Sequence, residues 1–397
     1  MIQNTISKKI LLPLLASIMA VSPLAIDLYL PAMPQIADDL STNMPAVQNT
    51  LSIYLIGYAL GLLFFGPLAD KYPRRNLVII GLSGFILATI ALLFARDIET
   101  FTGLRLFQAF ISSAATVVVP GTIRELYKKD TAKGLSYVSM IMMLAPMIAP
   151  AIGSAILLIH SWQAIFVVLT IYVIAVLTFT AKLLPNSGEL KATQHVSFFG
   201  RYKTVFANKS ARFDLIASMM VSLAFFAYIT AVPFVYLTVF GVSEFVFSLL
   251  FAATVFALMT AHLINSKLVV RKGSKRMLKY GLIVAVITSS LLVVVTSLEL
   301  PLTYIVLTIL PLMGSISMIA VNADALILQN FSHQTGTATA VIGVLRFGIG
   351  GLAGPILAYF YNGTAQPFSM LMWLSILVVL LAQLPRMLND KKTKDIS

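Results

Sequence analysis

Apolar runs of bilayer-crossing length, separated by short polar joints, constrain this chain more than any motif in it. They lie near residues 10–31, 46–69, 77–95, 101–123, 134–158 and 162–184. After a polar stretch at 185–211 they resume near 212–238, 245–269, 277–298, 302–324, 336–361 and 367–385. A helix needs about 20 predominantly apolar residues to cross a bilayer. The expected fold is therefore all-α and integral to the membrane, with twelve transmembrane helices in two six-helix halves. We place the halves at residues 1–185 and 212–397, joined by a linker over 186–211. Lys8 and Lys9 ahead of the first run mimic a signal peptide. That run is longer than a typical signal core and leads into Asp27, so it reads as a retained first span.

Composition agrees. Hydrophobic residues make up 59% of the 397 and charged residues only 11%, against about 25% charged in a soluble domain. The net charge of +13 raises the question of nucleic acid, but the basic residues sit between apolar runs rather than on one soluble face. No nucleic-acid partner is expected; membrane lipids are. With no cysteine there is no disulfide, thiolate nucleophile or zinc-thiolate site. His160, His195, His262 and His333 are far apart and form no H-E-x-x-H motif. No metal or cofactor is expected.

Orientation follows from Lys and Arg, which accumulate on the cytoplasmic side. With the N-terminus inside, 25 of the 28 Lys and Arg fall at the inner side; Arg96 is in an outer loop, and Arg105 and Arg346 are within spans. Both termini are then expected in the cytoplasm. The linker carries Phe198-Phe199-Gly200-Arg201-Tyr202-Lys203, which suits the inner leaflet and equally a solvated tether. The halves read as a diverged repeat at an offset near 200. Leu77–Leu82 stands opposite Met277–Leu282, and Lys71, Pro73 and Arg75 opposite Arg271, Gly273 and Lys275; Asp70 has only Val270 opposite it.

The joint between the second and third runs is Gly66-Pro67-Leu68-Ala69-Asp70-Lys71-Tyr72-Pro73-Arg74-Arg75. It is too short for a domain and turns at the cytoplasmic surface. Lys71, Arg74 and Arg75 set topology. Asp70 is on the same side as the start of span 11 around Thr335, where a carboxylate gains from the helix dipole; Arg124 is a second candidate partner. Such contacts would close the inner side.

Ionisable residues within spans are few, and each needs a partner or a wet cavity. Asp27 is in the outer third of span 1 and Arg105 at similar depth in span 4; Arg346 is in the middle of span 11, and Asp324 ends span 10 as an interfacial residue. An apolar setting and a nearby cation pull a carboxyl group's proton affinity in opposite directions. An acid balanced between them changes protonation as its surroundings open to one side or the other. Asp27 and Arg105 are the candidates for proton coupling. Two plainer readings stand beside this: Asp27 as a helix-terminating residue, and Arg105 snorkelling to headgroups.

The G-x-x-x-D-[KR]-x-x-R-[RK] pattern over Gly66–Arg75 resembles the loop 2–3 motif of the major facilitator superfamily, with Pro73 where the family usually has glycine. Arg105-Leu106-Phe107-Gln108-Ala109 is similar to its span 4 motif R-x-x-Q-G. Ala145–Ser154, with Pro146, Pro150 and Gly153, resembles its antiporter motif G-x-x-x-G-P-x-x-G-G. Ser22–Pro34, that proline pair and Arg346-Phe347-Gly348-Ile349-Gly350 look like the Bcr/CflA branch of bacterial drug:proton antiporters, the bicyclomycin and chloramphenicol resistance type. The resemblance implies a monomeric exporter of small amphiphilic drugs in the bacterial inner membrane, driven by the proton gradient. Spans 1, 4, 7 and 10 would line a central cavity. Candidate substrate-binding residues are Tyr29, Gln108, Met142, Met143, Phe225, Tyr228, Met313, Ser317 and Arg346. Candidate gating residues are Gly66, Asp70, Lys71, Arg74, Arg75, Arg124, Pro146, Pro150 and Gly153.

Three rivals stand beside drug efflux. An uptake symporter or dedicated metabolite exporter has the same fold. A membrane enzyme would need paired acids or a metal cluster near one interface, and the sequence displays neither. A channel would need pore-lining rings from an oligomer, whereas two related halves suit a self-contained monomer.

Overall fold

The computed structural model describes residues 8–69, 71–127, 131–185, 211–331 and 335–394. Among these, eleven helical stretches are long and apolar enough to cross a membrane. A twelfth crossing is the 27-residue helix Thr131–Leu157, whose shorter apolar piece is Leu144–Leu157. The chain divides into two compact units. One holds residues 1–195 with 243–252, the other 196–242 with 253–397.

The first unit begins with α1 (Lys8–Asp27), a 3-10 turn (Leu30–Ala32) and α2 (Met33–Asp39). The break falls at Asp27-Leu28-Tyr29, just ahead of Pro31, which has no N–H to continue the ladder. Then come α3 (Met44–Ala69), α4 (Arg74–Leu92), α5 (Ile98–Thr116), α6 (Val119–Tyr127), α7 (Thr131–Leu157) and α8 (Trp162–Leu183). Gly57 and Gly61 bring α3 onto the Leu106 and Phe110 carbonyls of α5. Phe101, Trp162 and Phe166 meet edge to face, with centroids 5.7 to 5.9 Å apart. Trp162 also ties α8 to α2: its backbone N donates to Gln35 Oε1 at 2.9 Å and its Nε1 to Asp39 Oδ2 at 2.8 Å.

The second unit has α9 (Arg212–Pro233), continued by a π-helical turn (Phe234–Val239), most of α10 (Glu244–Lys272), then α11 (Ser274–Ser297) and α12 (Leu302–Asn330). α13 (Thr335–Gly350), α14 (Ala353–Tyr359) and α15 (Gln366–Lys394) complete it. Ala211 and Leu215 at the start of α9 pack with Ile327 and Phe331 at the end of α12 and with Ala338, Val341 and Ile342 of α13. This apolar cluster closes one end of the three-helix group. α4 and α11 start 200 residues apart, at Arg74 and Ser274, as the repeat predicts.

The charged joint is shorter than its motif suggests. Gly66 to Ala69 are the last turn of α3, so four of the ten motif residues belong to the helix. Asp70, and with it the expected contact to α13 or Arg124, lies outside the described residues.

Candidate functional site

The first unit buries an arginine among rings. Arg105, two turns into α5, is 0% exposed. This overturns the snorkelling reading, because headgroups cannot reach it. Its guanidinium carbon lies 4.4 Å from the ring centroids of both Tyr29 and Tyr54, and 6.0 Å from that of Phe166. Each such contact is worth roughly 0.5–2 kcal/mol, the upper end when desolvated. Arg105 Nη1 donates to Gln108 Oε1 at 2.8 Å, and Gln108 Nε2 donates to Thr89 Oγ1 at 2.7 Å. Its Nε and Nη2 have no partner among the described residues.

Asp27, the last residue of α1, is 5% exposed. It forms no ion pair with Arg105: among the described residues no cation lies within bonding distance of its carboxyl group. Arg105 instead reaches span 1 on either side of Asp27. Tyr29 stacks on it directly. Tyr54, its other ring, is 3.0 Å from Ser22 Oγ, which is 3.1 Å from Ser112 Oγ. Tyr29 also hydrogen-bonds Thr50 at 3.3 Å. Sequence reasoning missed Tyr54, Ser22, Thr89 and Ser112. The available signal was polar residues in otherwise apolar runs, such as Thr50, Tyr54 and Tyr58 on one side of span 2.

The second unit treats its arginine differently. Arg346 Nη2 bonds Asp324 Oδ2 at 2.6 Å, and Ser218 Oγ donates to Asp324 Oδ1 at 2.7 Å. Asp324 was expected at the interface. The helix runs on to Asn330; Ile327 of the apolar cluster lies between Asp324 and that end, and Phe331 just beyond it. The carboxylate is the counter-ion of Arg346.

Other candidates are placed as follows. Tyr29, Gln108, Tyr228 and Met313 are fully enclosed. Tyr228 hydrogen-bonds Thr254 at 2.9 Å. Ser317 is 3.4 Å from His262 Nδ1. Phe225 and Met142 are half-buried, and the Met143 side chain is outside the described residues. Arg74 pairs with Glu125 at 2.8 Å, Arg75 reaches the Ala181 carbonyl, and Lys71 and Arg124 are exposed. Gly66 has open space beside it. A Cβ at Gly153 would collide with the Leu28 carbonyl, so α7 touches the break in span 1 at its closest point. Pro146 and Pro150 lie within the same helix.

These features sit on the fold of a known transporter family. The model of the Major Facilitator Superfamily matches residues 15–385, and the chain belongs to that superfamily, whose members are transporters rather than enzymes. The chain is 28% identical to a bicyclomycin resistance protein homolog of Haemophilus influenzae, over 91% of this chain and 92% of that one. It is 30% identical to a chloramphenicol resistance protein of Pseudomonas aeruginosa, over 89% and 86%. The crystal structure of a variant of the nucleoside transporter NupG matches with a TM-score of 0.76 at 13% identity, over 95% and 98%, which shows the fold alone. The chain is a multi-pass membrane protein with relatives named for drug resistance.

Proposed function

We propose that this protein is a proton-coupled multidrug efflux antiporter of the bacterial inner membrane, with both termini in the cytoplasm, working as a monomer by alternating access. Its substrates are small amphiphilic antibiotics of the chloramphenicol or bicyclomycin kind. The observation that carries the reading is Asp27: an acid buried in a membrane span with no cation paired to it among the described residues, at the point where span 1 breaks. An intramembrane acid of this kind is expensive unless it has a task. Arg105, fixed between Tyr29 and Tyr54, keeps its charge without consuming the acid. The relatives named for bicyclomycin and chloramphenicol resistance support the substrate class.

In this scheme Asp27 takes a proton from the periplasm in the outward state and drug leaves. It yields the proton to the cytoplasm in the inward state and drug binds again. One charge moving down about 100 mV releases roughly 2.3 kcal/mol, before the pH gradient is counted.

The test is a susceptibility panel in an efflux-deficient host, with and without a protonophore, followed by transport in energised vesicles. Expression should raise resistance to chloramphenicol, and the protonophore should abolish the gain. Asp27→Asn should reduce proton-driven export to background while the protein still reaches the membrane. Export undiminished by Asp27→Asn would remove the acid from the mechanism. Substrate entering together with protons would favour an uptake symporter for a specific metabolite.

A further inference from the structure

The second unit holds a charged pair that the proton scheme leaves unused. Both oxygens of Asp324 are engaged, one by Arg346 and one by Ser218. Arg346 has five donors and commits only Nη2; its Nε and Nη1 have no partner among the described residues. The pair is also not sealed. The Arg346 side chain is 33% exposed and that of Asp324 26%. Exposure to hydrocarbon is expensive for such groups. Exposure toward the near ends of the helices is blocked by the apolar cluster about one turn away along each of α9, α12 and α13. The Arg346 guanidinium therefore keeps an exposed edge for which the described residues supply no partner. Phe347 and Gly350 pack on Phe226 and fix the rotation of α13, so the arginine is held in place.

We infer that Arg346, with Asp324 as its built-in counter-ion, is a binding site for an uncharged hydrogen-bond acceptor on the substrate: a carbonyl, nitro or hydroxyl oxygen. The inference rests on the export reading and names the chemistry of its substrates. The free guanidinium edge donates. Asp324 already balances the charge, so a ligand carboxylate gains little from the cation and meets a fixed anion beside it. Selectivity arises by making the wrong ligand worse as well as the right one better. Ser218 holds the second carboxylate oxygen and keeps Asp324 on the arginine.

The experiment uses the full-length protein purified into nanodiscs. Equilibrium binding is measured for chloramphenicol and for its hemisuccinate ester, the same scaffold bearing one negative charge. The wild type should bind the neutral drug at least about tenfold more tightly. Arg346→Gln should weaken the neutral drug about tenfold, as expected for a lost charge-assisted hydrogen bond. Asp324→Asn should narrow the ratio of the two affinities by about tenfold or invert it, because the cation is then unbalanced. Ser218→Ala, which keeps the charges and folds most readily, should shift the ratio the same way by a few-fold. A ratio unchanged in both Asp324→Asn and Ser218→Ala would overturn the proposal, leaving the pair as helix packing only. A wild type that prefers the charged ester, or binds neither probe, would overturn it too. Energised vesicles read the export scheme separately. A shifted binding ratio without protonophore-sensitive export would sink that scheme and leave this site standing.

Discussion

Arg105 and Arg346 face the same difficulty, a permanent charge inside a membrane-spanning helix, and the two units answer it in opposite ways. Arg105 is enclosed and held by two tyrosine faces and one glutamine, with no acid paired to it among the described residues. Arg346 is partly open and held by one acid, whose other oxygen a serine holds in turn. Rings stabilise a cation without neutralising it. An acid neutralises it and removes its long-range potential. The first solution suits a residue whose charge is to be kept rather than cancelled. The second suits a residue that must present donors without attracting charge.

The largest expected effect comes from exchanging each arginine for lysine. A lysine at 105 keeps the charge but has no planar face to lie between Tyr29 and Tyr54, nor a fork to reach Gln108. We expect Arg105→Lys to destabilise the protein by about 2 kcal/mol, because an ammonium keeps only part of the two desolvated ring contacts. Arg346→Lys keeps an ion pair that rests on one nitrogen and is partly exposed, so the change should stay within about 0.5 kcal/mol. Thermal melts of both variants in one detergent decide it. Equal losses would mean that ring stacking and ion pairing do the same job here, and the contrast between the units would fail.

Spans, halves and family motifs were legible because bilayer thickness imposes a length and a composition that can be read one residue at a time. Asp27 and Arg105 were legible as ionisable residues in apolar runs. Their separation was not. Similar depth on two helices suggested pairing, and whether side chains meet depends on helix rotation, which an evenly apolar helix does not encode. Tyr54 illustrates this: among so many aromatic residues nothing distinguishes it until its ring is found on the guanidinium. Asp324 was read only as an interfacial residue ending span 10, and its pairing with Arg346 was not legible. Helix α12 continues to Asn330, and the serine that bonds the acid is 106 residues away in sequence.

A smaller effect sharpens the comparison at the matching helix starts. Pro73 caps α4 with φ −55° and ψ 121°, whereas Gly273 caps α11 with φ 75° and ψ 155°. The same joint is built once in a proline conformation and once in the left-handed region that favours glycine. Gly273 also donates its N–H to the Val269 carbonyl at 2.8 Å. Restoring the repeat in each direction should therefore be asymmetric. Pro73→Gly costs chain entropy alone, about 0.4–1 kcal/mol, while Gly273→Pro meets a forbidden φ and loses a hydrogen bond, and costs more than that. Melting temperatures that fell equally would show that the two joints tolerate one geometry.

The smallest effect concerns a helix start of the first unit that α12 does not repeat. Asp97 caps α5, accepting from Thr100 N at 2.7 Å and from Thr100 Oγ1 at 2.9 Å, whereas α12 follows Pro301 with no side-chain cap. The backbone N–H of Thr100, then its hydroxyl, hold the Asp97 carboxyl below the ordinary carboxylate range. A carboxyl whose pKa is lower folded than unfolded adds stability above its unfolded pKa and loses it as pH falls through the folded one. The capping benefit should thus persist through neutral pH and fade only below about pH 4. Asp97→Asn keeps an acceptor but loses the charge that favours a helix N-terminus. Hydrogen exchange in the first turn of α5 should be faster in the variant at pH 7, and the gap between the two proteins should close under acid conditions. A gap that stayed constant down to low pH would mean that the cap acts through its geometry and not its charge.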